Sequence, residues 1–281
     1  IYMYEFTEDC MIHIDNIDEE HRKLFQMLNE AFALVKETDN AASIAKNLID
    51  NLKDYAITHF AHEEEYMKSI HDPELPIQQR EHKAFAEKIN TFKLDESSPE
   101  AATNSLNELL LYLTRWLYSH ILSSDMMIGK MAPETNVDDA FAFTDKYITG
   151  IELVDEEHKH LFDIIRDTND VIHAELLHDK YDEIIRLLSE LREYTETHFS
   201  DEEELMKKIG YPEIEAQKRA HAAFVEKLVN IDFRELEAMD NQEEYLMDLI
   251  GFLLGWLSNH ILASDKKIGE YIKEHNIVLE K

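Results

Sequence analysis

Apolar residues recur at intervals of three and four positions along eight stretches of the chain, the spacing that places them on one face of an α-helix. Short connections separate the stretches within each half, and short connections make neighbouring helices antiparallel. The pattern therefore predicts an all-α protein built as two tandem up-down-up-down four-helix bundles, without strands. The predicted helices run over 18–37, 41–69, 76–92 and 99–129 in the first half, and over 155–175, 179–208, 213–230 and 241–273 in the second.

Glycine and proline usage favours helices over a sheet. Six glycines and five prolines in 281 residues leave few positions for the tight hairpins of a many-stranded fold. Pro73 and Pro76 interrupt the chain between the second and third helices. Ser98 and Pro99 give the fourth helix an N-cap and a first-turn proline.

The two halves of the chain repeat each other. Residues 18–25 (DEEHRKLF) match 155–162 (DEEHKHLF), and residues 59–82 match 198–221 without a gap. The offset is 137 residues in the first match and 139 in the second, so only small differences in loop length separate two related units. The repeat indicates a duplicated domain of about 135 residues, a size that suits one compact core.

The boundary between the units is predicted at the proline-containing acidic stretch 132–139 (APETNVDD), which has few apolar residues. We expect a first domain over 1–132, a linker over 133–142 and a second domain over 143–281. Each unit also carries a non-helical N-terminal arm that packs on its bundle.

Net charge and cysteine content limit the classes of partner and cofactor that the protein can bind. The net charge of −32 opposes binding to nucleic acid or to anionic lipid. The longest apolar run, around 249–257, is far shorter than the roughly 20 residues that span a bilayer. The single cysteine, Cys10, excludes an internal disulfide and a cysteine-based metal site, and it fits a reducing cytoplasm. We expect a cytoplasmic protein with no nucleic-acid or membrane partner.

The repeat also separates the fifteen histidines, because only eight of them recur between the two copies. Two acidic residues stand at fixed distances from these histidines in both halves, and a glutamine precedes one histidine by four residues in both. We take the recurring residues as candidate metal ligands. They are His21, His59, Glu63, Gln78, His82, His120 and Asp125 in the first unit, and His158, His198, Glu202, Gln217, His221, His260 and Asp265 in the second.

The spacing of these residues suits a site inside a bundle. His59 and Glu63 are four residues apart, so they lie one helical turn apart on one face. The five-residue step from His120 to Asp125 turns the side chain by about 140° on a regular helix. A local π-bulge, or a ligand that enters from the helix end, would reconcile this step. Imidazoles with carboxylates suit iron, manganese or zinc.

These motifs resemble the hemerythrin family over nearly the whole chain. The resemblance rests on DEEHRKLF, HFAHEEEYM and WLYSHILSSD in the first unit, and on DEEHKHLF, HFSDEEELM and WLSNHILASD in the second. It implies a non-haem di-iron centre in each domain, four irons per chain, with bridges from Glu63 and Asp125 and from Glu202 and Asp265. It also implies reversible binding of dioxygen, for storage, delivery or sensing.

The sequence departs from the family pattern at one position in both copies. The family carries HxxxH on its third helix, whereas Gln78 and Gln217 stand at the first of the two positions here. In the family this position completes the iron that has three imidazoles, so by analogy His82 and His120 would hold that iron. Either glutamine ligates and oxygen binding survives, or a position opens at this metal.

Three functions therefore stay open. The first is dioxygen binding, and the second is a di-iron oxidase, peroxidase or nitric-oxide reductase made possible by the two glutamines. The third is iron handling, favoured by the acidic surface but opposed by the small number of ligating side chains. The partner is dioxygen or another small diatomic molecule, and sensing or catalysis would add an unidentified signalling or redox partner.

Overall fold

The structure is a computed structural model that describes residues 5–37, 41–130, 141–174, 180–231 and 242–279. The chain divides into two compact units, Ile1–Gly129 and Lys130–Lys281. The predicted linker over 133–142 lies outside the described residues except for its last two positions. The domain boundaries therefore stay a prediction.

Each unit is a bundle of antiparallel helices, which confirms the predicted fold class. In the first unit α2 packs against α1 and α3, and α4 packs against α1 and α2. No strand occurs in the described parts of the chain. The helices of the first unit are α1 (Asp15–Glu37), α2 (Ala41–Ser69), α3 (Leu75–Thr91) and α4 (Pro99–Ser119). Those of the second unit are α5 (Glu152–His173), α6 (Lys180–Ile209), α7 (Ile214–Val229), α8 (Gln242–His260) and α9 (Lys266–Glu274).

The last helix of each bundle contains a π-helical turn where the sequence predicts one long regular helix. In the first unit the turn covers His120–Ser124, and in the second it covers Ile261–Asp265. A π turn closes hydrogen bonds between residues five apart, so two residues at that spacing lie on one face. Of the two alternatives given for the step from His120 to Asp125, the structure thus adopts the π-bulge.

The N-terminal arm of each unit is tied to the first helix by the aspartate of the DEEH motif. Asp18 accepts hydrogen bonds from the backbone N–H groups of Ile12 and His13, at 2.8 and 2.9 Å. Asp155 accepts in the same way from Thr149 and Gly150. Each bond satisfies a backbone donor of the arm, so the arm packs on its bundle as predicted.

Length and composition alone would allow one described stretch, Gln242–Glu274, to cross a membrane. Just over half of its most apolar window, 56%, is buried inside the second unit, as in the core helix of a bundle. The stretch also holds the buried side chains of His260 and Asp265. Its apolar character is therefore explained by packing in the bundle.

Close packing in the second unit depends on Gly269 in α9. A Cβ atom at this position would lie 2.0 Å from the carbonyl oxygen of Thr149, a backbone atom that cannot turn away. We expect Gly269→Ala to lower the free energy of unfolding of the second unit by about 1–3 kcal/mol, because the backbone at Thr149 must shift. Gly251→Ala is the matched control, since its Cβ would meet no atom within 4 Å. Gly251→Ala should stabilise the unit by roughly 0.5–1 kcal/mol. Urea unfolding of both variants checks this, and a Gly269→Ala chain as stable as the wild type would contradict it.

Candidate metal centre

The first bundle brings its recurring histidines and acids to one buried point. The α1 helix supplies His21, α2 supplies His59 and Glu63, α3 supplies His82, and the last helix supplies His120 and Asp125 at the two ends of its π turn. All six side chains are at most 4% exposed. The side chains form two groups that share Glu63. One group is His21, His59 and Glu63, the other is Glu63, His82 and His120, and within each group the potential ligand atoms lie within 4.8 Å of one another.

The two oxygens of Glu63 face different histidines. Oε1 lies 3.2 Å from His21 Nε2 and 3.3 Å from His59 Nε2, whereas Oε2 lies 3.3 Å from His82 Nε2. One carboxylate therefore stands between two sets of imidazoles. This is the arrangement of a carboxylate that bridges two metal ions in a bundle core.

Asp125 divides its oxygens in the same way. Oδ2 lies 3.1 Å from His21 Nε2, and Oδ1 lies 3.1 Å from His120 Nε2. Gln78 is also at this point: it is buried, and its Nε2 donates to Asp125 Oδ1 at 3.0 Å. The Nε2 atoms of His82 and His120 lie 3.1 Å apart, so both imidazoles aim at one position.

The second bundle repeats this arrangement with longer contacts. His158 Nε2 lies 3.3 Å from Asp265 Oδ2, and His260 Nε2 lies 3.2 Å from Asp265 Oδ1. Glu202 also lies between the two histidine sets, but its oxygens are divided differently: Oε2 lies 3.5 Å from His221 and 3.6 Å from His198, and Oε1 lies 3.8 Å from His158. The amide of Gln217 donates to Asp265 at 3.5 Å. All fourteen residues predicted from the repeat thus lie in two buried clusters, one in each unit.

Outer glutamates orient the imidazoles, and the sequence analysis missed them. In the first unit His59 Nδ1 donates to Glu20 at 2.9 Å, and His82 Nδ1 donates to Glu64 at 3.0 Å. A carboxylate on Nδ1–H leaves Nε2 free to face the centre. Glu20 and Glu64 recur as Glu157 and Glu203, so recurrence could have found them. The other outer bonds join His120 to Glu81, His198 to Glu157 and His221 to Glu203.

Aromatic rings stack on the faces of two imidazoles in each centre. Phe60 stacks on His82 with ring centres 3.8 Å apart, and Trp116 stacks on His120 at 4.4 Å. The second unit repeats both pairs, Phe199 on His221 and Trp256 on His260. Stacking fixes the planes of the imidazole rings and keeps water away from them.

The buried carboxylates and imidazoles of the first centre shift one another's pKa values. Burial opposes the charged form of His21, but the contacts with Asp125 and Glu63 prevail and raise the pKa of His21 to about 9. Burial and the charge of Asp125 act to raise the pKa of Glu63, yet His59, His21 and His82 lower it to about 2. The first centre is therefore an ion-pair cluster in which His21 carries a proton.

In the second centre burial prevails over the contacts with histidines. Burial and the charge of Asp265 raise the pKa of Glu202 well above its usual value. Burial also lowers the pKa of His221 to about 4. The difference follows from distance, because the histidines lie 3.5 to 3.8 Å from Glu202 but 3.2 to 3.3 Å from Glu63.

Buried atoms in both centres fit a bound cation. An unsatisfied buried polar atom costs about 1–3 kcal/mol, and a metal ion would satisfy several at once. Imidazole and carboxylate donors suit iron among the first-row metals. The inward atoms without a hydrogen-bond partner among the described residues are Glu63 Oε2, Gln78 Oε1 and Asp125 Oδ2 in the first unit, and His158 Nε2, His198 Nε2, both Glu202 oxygens, Gln217 Oε1 and Asp265 Oδ2 in the second.

Fold and donor set together define a class, the helical-bundle proteins that bind metal through inward histidines and carboxylates. Comparison with known proteins identifies the family. The sequence profile of the hemerythrin HHE cation binding domain matches residues 12–132 and again residues 149–272. The chain belongs to the hemerythrin family, whose metal is non-haem iron.

Named relatives agree with this assignment, and each covers about half of the chain. Bacteriohemerythrin of Clostridium acetobutylicum is 34% identical over 132 residues, which are 47% of this chain and 98% of the relative. Bacteriohemerythrin of Stenotrophomonas maltophilia is 32% identical over 43% of this chain and 75% of its own length. Myohemerythrin of Theromyzon tessulatum is 33% identical over 41% of this chain and 80% of its own length. Coverage of half a chain is what a duplicated domain would give.

Proposed function

We propose that each domain holds one carboxylate-bridged di-iron centre, four irons per chain, and that the protein binds dioxygen in the cytoplasm for storage, delivery or sensing. One observation carries the proposal. Glu63 and Glu202 each stand between two histidine sets inside a bundle, with both carboxylate oxygens turned inward. Membership of the hemerythrin family supports iron as the metal.

The residues divide into two sets around the bridging carboxylates. In the first domain His21 and His59 would hold one iron, His82 and His120 the other, and Glu63 and Asp125 both. In the second domain the same roles fall to His158 with His198, to His221 with His260, and to Glu202 with Asp265. Bound ferrous iron would supply the electrons for reversible dioxygen binding.

The rest of the chain acts by positioning and by excluding water. The outer glutamates hold each Nδ1–H, so that Nε2 faces the centre. Phe60 and Trp116 cover two imidazoles of the first centre from the side. A dry wall of this kind protects a reactive centre from protons and water.

An oxygen cycle tests the proposal. The chain is loaded anaerobically with ferrous iron, exposed to oxygen and then stripped of oxygen while its visible spectrum is followed. We expect a charge-transfer band that develops with oxygen and is lost on its removal, at two irons per domain. Irreversible conversion to a ferric spectrum would contradict a carrier and would support an oxidase.

The two glutamines favour a second candidate function, a di-iron oxidase, peroxidase or nitric-oxide reductase. Gln78 is 1% exposed and Gln217 is 5% exposed, and in each the amide Oε1 has no hydrogen-bond partner among the described residues. Amide oxygen is a weaker donor than imidazole. A metal held here would therefore be open to an outside ligand more often than in the HxxxH pattern.

Restoring the family histidine at both positions distinguishes the two functions. We expect Gln78→His with Gln217→His to slow autoxidation of the ferrous protein by about tenfold or more, because an added imidazole would close the open position. The measurement is the rate of loss of the ferrous form in air, with the number of nitric oxide molecules bound per domain. Lys83→His with Lys218→His is the control, since both lysines lie on the same helices but point outward. Unchanged autoxidation and ligand number would show that glutamine leaves no open position.

A further inference from the structure

The histidine pair of the third and fourth helices has the same spacing in both domains, but an outer residue next to it differs. The His82–His120 pair and the His221–His260 pair both have Nε2 atoms 3.1 Å apart. In the first domain His120 Nδ1 also donates to Glu81 Oε2 at 2.9 Å. The gap-free match of 59–82 with 198–221 places Ala220 at the position of Glu81. An alanine cannot accept this hydrogen bond.

Glu81 is held in place for this contact. Its Oε2 also accepts a hydrogen bond from Ser124 Oγ at 2.7 Å, so the carboxylate is fixed from the π turn itself. In the second domain the hydroxyl partner persists as Ser264, but the carboxylate is gone. No described residue forms a hydrogen bond with His260 Nδ1. The last-helix imidazole is thus supported from outside in one domain only.

The loss in the second domain is specific to this histidine. The helix-two and helix-three imidazoles keep their outer glutamates in both domains, at 2.8 to 3.0 Å. The second centre is also looser around its central carboxylate, with Glu202 further from its histidines than Glu63. Both differences weaken the same centre.

We propose that Glu81 is a positioning residue that makes the first metal centre tighter than the second, so that the two centres of one chain are functionally unequal. The inference rests on the proposed function, since it assumes that both clusters bind metal. A carboxylate on Nδ1–H fixes the tautomer and makes Nε2 a stronger donor, and the loss of such a partner typically lowers metal affinity 10–100-fold. Metal at the second centre is therefore the first to exchange with its surroundings.

Cobalt(II) tests the proposal, because its visible absorption reports nitrogen and oxygen coordination and it does not need oxygen-free handling. Each centre is measured alone in the full-length chain: Glu202→Ala leaves the first centre, and Glu63→Ala leaves the second. Competition with a chelator then gives the two affinities. We expect the first centre to bind cobalt about 10–100-fold more tightly.

Changes at the outer position assign the difference to Glu81. In the Glu202→Ala chain, Glu81→Ala should lower the affinity to that of the second centre, and Glu81→Gln should retain part of it because the amide oxygen still accepts. In the Glu63→Ala chain, Ala220→Glu should raise the affinity. Glu87→Ala, at an exposed position of the same helix, is the matched control and should change nothing.

The hydrogen bond itself is followed by NMR, through the exchangeable Nδ1–H proton of His120, whose signal is shifted by bound cobalt. This proton reports the contact with Glu81 directly, whereas affinity could also change through a packing defect. This signal should broaden by solvent exchange in Glu81→Ala and return in Glu81→Gln. Equal affinities of the two centres, or an unaffected first centre in Glu81→Ala, would overturn the proposal while leaving the proposed function intact. If neither single-centre chain binds cobalt, the proposed function fails together with it.

Discussion

Replacing Glu63 with alanine is expected to empty the first centre and leave the second one filled, so that iron content falls from four to two per chain. Glu63 is one of two carboxylates that face both histidine sets, and it is the one that contacts three of the four imidazoles. Without it the two metal positions lose one of their two shared carboxylates and keep only Asp125 between them. Iron is measured after anaerobic reconstitution and gel filtration.

Three further variants make this result specific. Glu65→Ala removes an exposed glutamate two residues further along the same helix and should retain four irons. Glu202→Ala should lose the other pair, and the double variant should bind none. A Glu63→Ala chain that keeps four irons and a helical circular dichroism spectrum would show that the cluster is not where the metal binds.

Sequence periodicity predicted the regular helices closely, because amphipathic spacing and caps are local features. The second helix was predicted over 41–69 and runs over Ala41–Ser69, and Ser98 caps α4 as predicted by accepting from the N–H of Ala101. The predicted end of the last helix was wrong in the first unit, whereas in the second unit the helix predicted over 241–273 continues through its π turn to Glu274. The predicted 99–129 helix is regular only to Ser119.

The reason for that difference is chemical. A regular helix would turn Asp125 away from His120, so the π turn is adopted where two ligand-type residues stand five apart. Local propensity carries no information about this turn, whereas the HxxxxD spacing does. The two units then continue differently, with a short 3-10 turn at Asp125–Met127 in one and α9 in the other, and the repeat gave no sign of this.

The inner residues of the site were predictable because a duplicated chain carries its own comparison. Recurrence separated the eight inward histidines from the rest without reference to any other protein. The same comparison contained Glu20 with Glu157 and Glu64 with Glu203, but acidic runs on a strongly acidic surface look like solvated faces. Three-dimensional contacts were needed to show that their carboxylates reach imidazoles on neighbouring helices.

Glu81 is a site residue that the comparison of the two copies could not have found. It has no counterpart in the second copy, so recurrence would have assigned it to the surface. Only its contacts with His120 and Ser124 reveal a role. A duplication therefore identifies what both domains need, and the structure identifies where the domains have come to differ.

Metal loading is expected to raise the unfolding temperature of both domains, and to do so more strongly as the pH rises. Ligand binding at one hundred times its dissociation constant stabilises the folded state by about 2.7 kcal/mol, which corresponds to roughly 5–10 °C for a domain of this size. Metal binding also requires neutral imidazoles and ionised carboxylates. Below pH 9 a metal ion must therefore displace the proton that the metal-free first centre holds on His21.

The metal-free first centre becomes less stable as the pH rises, which enlarges the stabilisation that metal binding adds. The pKa of His21 is raised from 6.5 to about 9, so its ion pairs with Glu63 and Asp125 stabilise the metal-free fold fully below 6.5. That stabilisation is lost as the pH rises toward 9. Glu202 has the same sign, because its raised pKa favours the protonated form in the folded second unit. Rising pH thus weakens the metal-free first centre and, by removing protons that compete with the metal, strengthens metal binding.

Calorimetry at a fixed free concentration of zinc, which is not oxidised, measures the shift from about pH 6 to about pH 8. The metal-induced rise in unfolding temperature should grow across this range in the wild-type chain. The chain with Glu63→Ala and Glu202→Ala should show little shift at any pH, which separates binding at the two centres from binding to the acidic surface. A shift that shrinks as the pH rises would mean that proton displacement at His21 and Glu202 does not accompany metal binding.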